Sequence, residues 1–112
     1  MRTGSEPRRH PASVTVEFRG AHDNRLVGDA YGEATDRPVV LLHGGGQTRH
    51  AWGGTAAGLA RHGWYAIALD MRGHGDSDWA ADGDYTVDTL AADLHRVAAA
   101  LGRPAVVGAS LG

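Results

Sequence analysis

The segment Ala105-Val106-Val107-Gly108-Ala109-Ser110-Leu111-Gly112 joins a short apolar run to a G-x-S-x-G pattern. Small residues two positions on either side of a serine allow the tight strand-to-helix turn called a nucleophile elbow. Glycine is frequent here, with 17 copies in 112 residues, so the pattern alone arises by chance in roughly one of ten such chains. It follows directly on a buried-strand pattern, where an elbow serine belongs. We therefore predict that Ser110 is a nucleophile at the carboxyl end of a strand.

Strand and helix patterns alternate upstream of this segment. Strands are predicted at 14–18, 25–31, 39–42, 64–69 and 105–107, the first two as a hairpin. One helix is predicted at 50–61, before Gly63, and a second from the N-cap Thr86 to 101, before Gly102 and Pro104. Such alternation requires parallel strands joined by crossover helices. The sequence therefore predicts an α/β fold in one unit at 14–112, after a disordered tail at 1–13.

The second helix is predicted to bury a single apolar face. Its members recur at helical spacing: Val87, Leu90, Ala91, Leu94, Val97, Ala98 and Leu101.

The third strand pattern ends in His43-Gly44-Gly45-Gly46. A glycine loop lets the backbone turn its N–H groups toward a ligand, and such donors stabilise the oxyanion of acyl transfer by about 3 kcal/mol each. A dinucleotide site is the alternative, because Gly44-x-Gly46 and Asp70 imitate its spacing. The third glycine of that pattern falls at position 49, which is an arginine, so this alternative is the weaker hypothesis.

The fourth strand pattern runs into Asp70-Met71-Arg72-Gly73-His74-Gly75-Asp76-Ser77. We expect a tight loop in which an Asp–Arg pair could act as a brace. His74 has no evident role as a base, and a structural role is the better interpretation of each charged residue here.

Composition excludes several classes of function. The net charge of -2 does not favour nucleic acid or an anionic membrane surface as a partner, and no apolar run reaches the ~18 residues of a membrane span. The chain has no cysteine and no lysine, which excludes thiolate, P-loop and Schiff-base chemistry. Arg8-Arg9 is not followed by the apolar stretch of an export signal, so a cytoplasmic location is expected. No cofactor or metal is expected.

Three ordered segments carry a resemblance to a known family. Leu41 to Gly46, Asp70 to Ser77 and Val107 to Gly112, in this order and at these spacings, resemble the α/β-hydrolase fold superfamily. The match covers about 14–112 and looks most like the serine esterase and haloperoxidase-like branch. The resemblance implies the N-terminal half of a hydrolase sheet, truncated at the nucleophile elbow.

The same resemblance implies roles for individual residues. Ser110 matches the nucleophile, the N–H groups of Gly45 and Leu111 match the oxyanion hole, and His43 matches a position that is usually structural. Epoxide hydrolases and dehalogenases of this branch carry aspartate at the elbow, so a serine at 110 argues against both. The implied reaction is acyl transfer to water from a small, neutral, mostly apolar ester or related carbonyl compound.

In the family that this chain resembles, the triad acid and histidine follow the elbow. The chain has neither, so it looks like an incomplete fragment of an active parent, without measurable esterase activity by itself. The alternative is a non-catalytic truncated remnant or binding fragment, poorly soluble because its last strand has an open edge.

Overall fold

A computed structural model describes residues 13–109, which form one mixed sheet of five strands with helices on both faces. The strands are β1 (Val14–Arg19), β2 (Arg25–Tyr31), β3 (Arg37–Leu42), β4 (Trp64–Leu69) and β5 (Ala105–Gly108). The helices are α1 (Gly53–Arg61) and α2 (Val87–Leu101), with 3-10 turns at Ala21–Asp23 and Arg49–Trp52. The predicted tail falls on residues 1–12, which lie outside the described part, and on Ser13.

The strands lie in the order β1-β2-β4-β3-β5. β1 and β2 form an antiparallel hairpin, β2 runs antiparallel to β4, and β3 is parallel to both β4 and β5. The predicted α/β class, with a hairpin followed by parallel strands and crossover helices, is confirmed. Leu42 is in register with Leu69 and with Gly108, so β3, β4 and β5 end together at one edge of the sheet. The residues that follow these strands therefore lie side by side.

Alternate residues of β3 face opposite sides of the sheet, and each side is covered by one helix. Val39 and Leu41 pack on the side of α1, against Ala56 and Ala66. Val40 packs on the side of α2. This two-sided burial explains why β3 reads as a continuous apolar run.

The predicted first helix begins later than expected. Residues 49–52 form a 3-10 turn, which Thr48 caps by accepting a hydrogen bond from the His50 N–H at 3.4 Å, and the α-helix starts at Gly53. Alanines at 56, 57 and 60 are its buried residues, and these small side chains bring the helix backbone close to the sheet.

The ends of α2 agree with the prediction, and its buried face agrees in part, since Val97 is buried and Leu94 and Leu101 pack against the core. Thr86 caps the helix by accepting from the Thr89 N–H, and Gly102 ends it at φ +74°. The buried residues are Thr89, Asp93 and Val97, whereas Val87 is 75% exposed. The predicted apolar face was therefore wrong at Val87 and Ala91, which are exposed, because the polar residues Thr89 and Asp93 are buried in their place.

An apolar groove of about 230 Å³ runs between α2 and the sheet. Its lining includes Leu26, Leu42, Leu69, Met71, Leu90 and Leu94. No helix in residues 13–109 has both the length and the apolar character that crossing a membrane requires.

Candidate active site

The chain leaves the sheet at three neighbouring points, where β3, β4 and β5 end. The first loop starts at His43, the second at Asp70, and the third follows β5 at Ala109. The Ala109 N–H donates to the Leu42 carbonyl at 3.0 Å, so the β3–β5 ladder continues to the residue before Ser110. The predicted nucleophile Ser110 and the predicted donor Leu111 lie outside the described residues.

The glycine loop after β3 closes as a four-residue turn from Gly44 to Gln47. The Gln47 N–H donates to the Gly44 carbonyl at 3.1 Å, and the Gly44 N–H donates to Gln47 Oε1 at 3.0 Å. Gly46 has φ +77°, at the third position of the turn, where a type II turn requires glycine or asparagine. The sequence pattern predicted a glycine loop here but gave no reason to expect that Gln47 closes it with two hydrogen bonds to Gly44.

The N–H groups of this loop differ in how they are used. Gly44 donates to Gln47, and the Gly46 N–H donates to His74 Nε2 at 3.4 Å. Gly45 is exposed, and its N–H has no hydrogen-bond partner within residues 13–109. Among the backbone N–H groups of residues 44–47, that of Gly45 is therefore the one without a partner in the described part of the chain.

His43 links the first loop to the second. Its Nδ1–H donates to the Gly44 carbonyl at 2.8 Å, and its Nε2 accepts from the Met71 N–H at 3.0 Å. These two bonds require the neutral ring with the proton on Nδ1. The side chain is 1% exposed, and burial lowers the pKa of His43 below its ordinary 6.5. His43 is thus a structural residue here.

His74 makes a second link between the same loops. Its Nδ1–H donates to the Arg72 carbonyl at 3.0 Å, and its Nε2 accepts from Gly46. The rings of His74 and His43 are tilted, with centroids 4.8 Å apart. Both nitrogens of both histidines are therefore engaged.

The expected Asp–Arg brace within the second loop does not form. Asp70, 0% exposed, accepts instead from Arg49, through both the backbone N–H at 2.6 Å and the guanidinium. Arg49 also contacts Asp76 at 2.8 Å and Asp29 at 3.0 Å. Burial opposes the charge on Arg49, but hydrogen bonds to Asp76 and Asp70 outweigh it and raise its pKa. Nothing local in the sequence pairs positions 49 and 70, which are 21 residues apart.

The other half of that expected pair also finds a distant partner. Arg72 is bound by Asp93 of α2, with Nε 2.6 Å from Oδ2, and it donates to the carbonyls of Ala21 and Asp84 at 3.1 Å each. Hydrogen bonding to Asp93 raises the pKa of Arg72. The loop is therefore held by two ion pairs, and in each pair the partner lies outside the loop.

The dinucleotide alternative does not fit this geometry. A ribose would need the carboxylate of Asp70, but that group is buried and bound to Arg49. The first α-helix after the glycine loop begins only at Gly53, so its N-terminus does not lie at the loop where a pyrophosphate would bind.

One grouping of possible metal ligands was not foreseen. His22, Asp82 and Asp84 bring three ligand atoms within 4.8 Å of one another near the surface. The Asp84 carboxylate already accepts from the hydroxyl of Thr89 at 2.6 Å and from Thr86, and these bonds lower the pKa of Asp84 to about 2. The grouping joins residues about 60 positions apart, so no sequence spacing could have revealed it.

Comparison with known proteins gives relatives of one fold. Esterase Rv0045c of Mycobacterium tuberculosis is 45% identical over 78 residues, which are 66% of this chain and 24% of that protein. Human protein phosphatase methylesterase 1 is 36% identical over 90 residues, which are 79% of this chain and 22% of that protein. The chain therefore spans about a quarter of the length of these curated relatives.

Solved structures agree with this. An epoxide hydrolase from an endophytic Streptomyces superimposes with a TM-score of 0.78 at 30% identity, covering 88% of this chain and 30% of that one. The thioesterase domain from the curacin biosynthetic pathway gives a TM-score of 0.78 at 29% identity, covering 88% of this chain and 38% of that one.

A sequence model of the alpha/beta hydrolase fold matches residues 37–112, which include β3, β4, β5 and all three loops at the candidate site. The sheet order, the hairpin and the crossover helices are those of the N-terminal part of that fold. The chain belongs to the alpha/beta hydrolase fold family.

Proposed function

We propose that residues 14–112 form part of a serine hydrolase domain and supply its nucleophile and oxyanion hole. The observation that carries this proposal is the unengaged N–H of Gly45, at the edge where β5 leads into Ser110. Acyl transfer requires an unpaired donor near its nucleophile, and Gly45 offers one at the sheet edge from which the sequence continues to Ser110. The relatives whose names describe an esterase, a methylesterase and a thioesterase support the same reaction class.

In the proposed reaction, the Ser110 hydroxyl attacks an ester carbonyl while a base accepts its proton. The carbonyl oxygen becomes an oxyanion, which the N–H groups of Gly45 and Leu111 stabilise. The ester bond breaks, the alcohol leaves with the proton from the base, and water then releases the acyl group by the same steps.

The substrate class follows from the elbow and its surroundings. A serine forms an acyl-enzyme with a carbonyl substrate, so Ser110 favours esters over epoxides, although epoxide hydrolases share the fold. Leu42 ends β3 and Met71 follows β4 by two residues, and both line the apolar groove between α2 and the sheet. We therefore assign a small, neutral, mostly apolar ester or related carbonyl compound as the substrate.

The base and its orienting acid are proposed to come from outside these 112 residues. His43 and His74, the histidines of the site loops, have both ring nitrogens engaged. The carboxylates of Asp70 and Asp76 are held by Arg49. A base must reach the serine proton within about 3 Å with a free nitrogen or oxygen, so we propose that the isolated chain does not turn over esters.

A chimera tests the proposal. Residues 14–112 of this chain replace the corresponding segment of the M. tuberculosis esterase, up to and including its elbow, so that the relative supplies everything beyond the elbow. We expect hydrolysis of p-nitrophenyl acetate by the chimera, its loss on Ser110→Ala, and no turnover by the isolated chain. A folded chimera that keeps its activity after Ser110→Ala would overturn the assignment of the nucleophile. Turnover by the isolated chain that Ser110→Ala abolishes would overturn the proposed origin of the base.

A further inference from the structure

We propose that His74 is a positioning residue that holds the central peptide of the glycine turn, so that Gly45 is the one backbone N–H of residues 44–47 left without a partner within residues 13–109. For its catalytic consequence, this inference rests on the proposed function. The hydrogen bond itself can be tested without any activity.

The turn could present its N–H groups in more than one way. Its central peptide joins Gly45 to Gly46, and rotation of that peptide interconverts type I and type II turns. Neither flanking residue has a side chain to oppose the rotation, and Gly45 and Gly46 are both exposed. The bonds between Gly44 and Gln47 close the base of the turn but do not touch its central peptide.

His74 supplies the missing restraint. Its Nδ1–H is directed to the Arg72 carbonyl, so the neutral ring presents Nε2 as an acceptor, and Gly46 donates to it at 3.4 Å. A rotated peptide would instead direct the Gly45 carbonyl toward that acceptor, which is repulsive. The ring is therefore complementary to one orientation of the peptide.

The residue that orients His74 is anchored in the core. The carbonyl that orients its ring belongs to Arg72, whose guanidinium is buried against Asp93 of α2. Because the position of His74 depends on this pair, the loop orientation is tied to the core rather than to the surface. Catalytic donors must be held within about 0.5 Å, so such a link bears directly on the oxyanion hole.

Two substitutions separate this role from a merely structural one. Gln at position 74 can place its amide oxygen near the site of Nε2 and keep the acceptor for Gly46. Asn places its N–H near the site of Nδ1 and keeps the bond to Arg72, but it is too short to reach Gly46. A structural role in the second loop is preserved better by Asn, whereas the proposed role is preserved better by Gln.

The first measurement is solvent exchange of the glycine amides by NMR on the 15N-labelled 112-residue chain. We expect slow exchange for Gly46 and fast exchange for Gly45 in the wild type. His74→Asn should accelerate Gly46, and His74→Gln should restore its protection. Equal exchange of the two amides in the folded wild-type chain would overturn the proposal.

The second measurement is hydrolysis by the chimera described above. We expect His74→Asn to lower kcat by about 10-fold, with little change in KM. The upper limit is about 100-fold, which is the cost of displacing a catalytic group by 1 Å. His74→Gln should retain most of the kcat. An Asn variant as active as Gln would contradict the positioning role. An inactive wild-type chimera would count against the proposed function, while the amide exchange still decides whether His74 holds Gly46.

Discussion

The guanidinium of Arg72 makes a bidentate contact with the carboxylate of Asp93, with Nε 2.6 Å from Oδ2 and Nη2 2.8 Å from Oδ1. Both side chains are buried, at 1% and 7% exposure. Asp93 also accepts from the Ala21 N–H at 2.8 Å, and Arg72 donates to the Ala21 carbonyl. One ion pair therefore joins the loop after β4, helix α2 and the turn after β1.

Asp93→Asn is expected to destabilise the fold strongly. The amide keeps the shape of the carboxylate but leaves the charge of Arg72 buried without a counter-charge, which costs about 3–5 kcal/mol. Urea unfolding followed by circular dichroism measures this. Asp88→Asn, an exposed acid in the first turn of the same helix, is the control and should cost less than about 1 kcal/mol. Equal losses in the two variants would show that the buried pair is not what holds α2 to the loop.

Removing the Gly45 N–H is expected to impair catalysis without breaking the turn. Position 45 is the second of the four turn residues, where proline is favoured in type I and type II turns. Gly45→Pro should therefore lower kcat of the chimera by about 10²–10³-fold, the cost of one oxyanion donor. Gly45→Ala keeps the N–H and is the matched control. If alanine and proline lower kcat equally, the N–H is not the donor.

Acid is expected to weaken the junction made by His43. Burial lowers the pKa of His43, and the nearby His74 lowers it further, while the Gly44 carbonyl and Asp70 act in the opposite direction. The unfolded chain therefore binds the proton more readily than the folded chain. The stabilisation from neutral His43 is fully present above pH 6.5 and is lost as the pH falls below it.

The free energy of unfolding at about pH 7.5 and about pH 5.5 checks this expectation. The loss from one group is at most about 1.4 kcal/mol for each pH unit below 6.5. His43→Gln should be less stable overall but should lose less on acidification, whereas the exposed His50→Gln should behave like the wild type. If all three proteins lost the same free energy of unfolding on acidification, the loss would come from titratable groups other than His43.

Much of the fold could be predicted because its determinants are local. The strand at 25–31 and the strand at 64–69 match β2 and β4 at both ends, and Thr86 caps α2 as its sequence context indicates. Alternation, apolar runs and capping residues act within a few positions of the backbone they shape.

The braces of the site could not be predicted in this way. Asp70 and Arg72 are two residues apart, yet each is paired with a residue 21 positions away, Arg49 and Asp93 respectively. The two side chains reach different elements: Asp70 reaches the 3-10 turn before α1, and Arg72 reaches α2. Which element packs against each residue decides its partner. The proposed role of Gly45 depends likewise on the hydrogen bonds that its neighbours Gly44 and Gly46 donate to Gln47 and His74, and sequence spacing does not predict these bonds.

Gly75→Ala is expected to disrupt the junction between the two loops. Gly75 has φ +51°, and a Cβ there would overlap the Asp70 carboxylate that Arg49 holds. Gly83→Ala is the matched control, because φ is +73° there but nothing lies within 4 Å of the added carbon. The control should cost about 1–2 kcal/mol, the left-handed penalty alone. Gly75→Ala should lower the free energy of unfolding in urea by more than this. Equal losses in the two variants would show that the Asp70 carboxylate moves aside without cost.

The isolated chain is expected to associate through β5. This strand is the sheet edge next to β3, and Val106 and Val107 are 45% and 43% exposed. Adjacent residues of a strand face opposite sides, so apolar surface is open on both faces. Within residues 13–109 β5 pairs only with β3, and it carries no charge.

The opposite edge differs in its chemistry and provides the control. β1 carries Glu17 and Arg19, and charges on an edge strand oppose pairing with another chain. Val107→Lys should therefore reduce the concentration-dependent mass seen by sedimentation, whereas Val14→Lys, at a 63% exposed position of β1, should leave it unchanged. Association through β5 would be contradicted by a wild-type chain that stays monomeric at high concentration. It would also be contradicted if Val107→Lys and Val14→Lys reduced the sedimenting mass equally. Because a lysine at 107 adds its charge at the exposed edge without removing the β3–β5 backbone ladder, loss of association with retained circular dichroism would locate the contact at this strand.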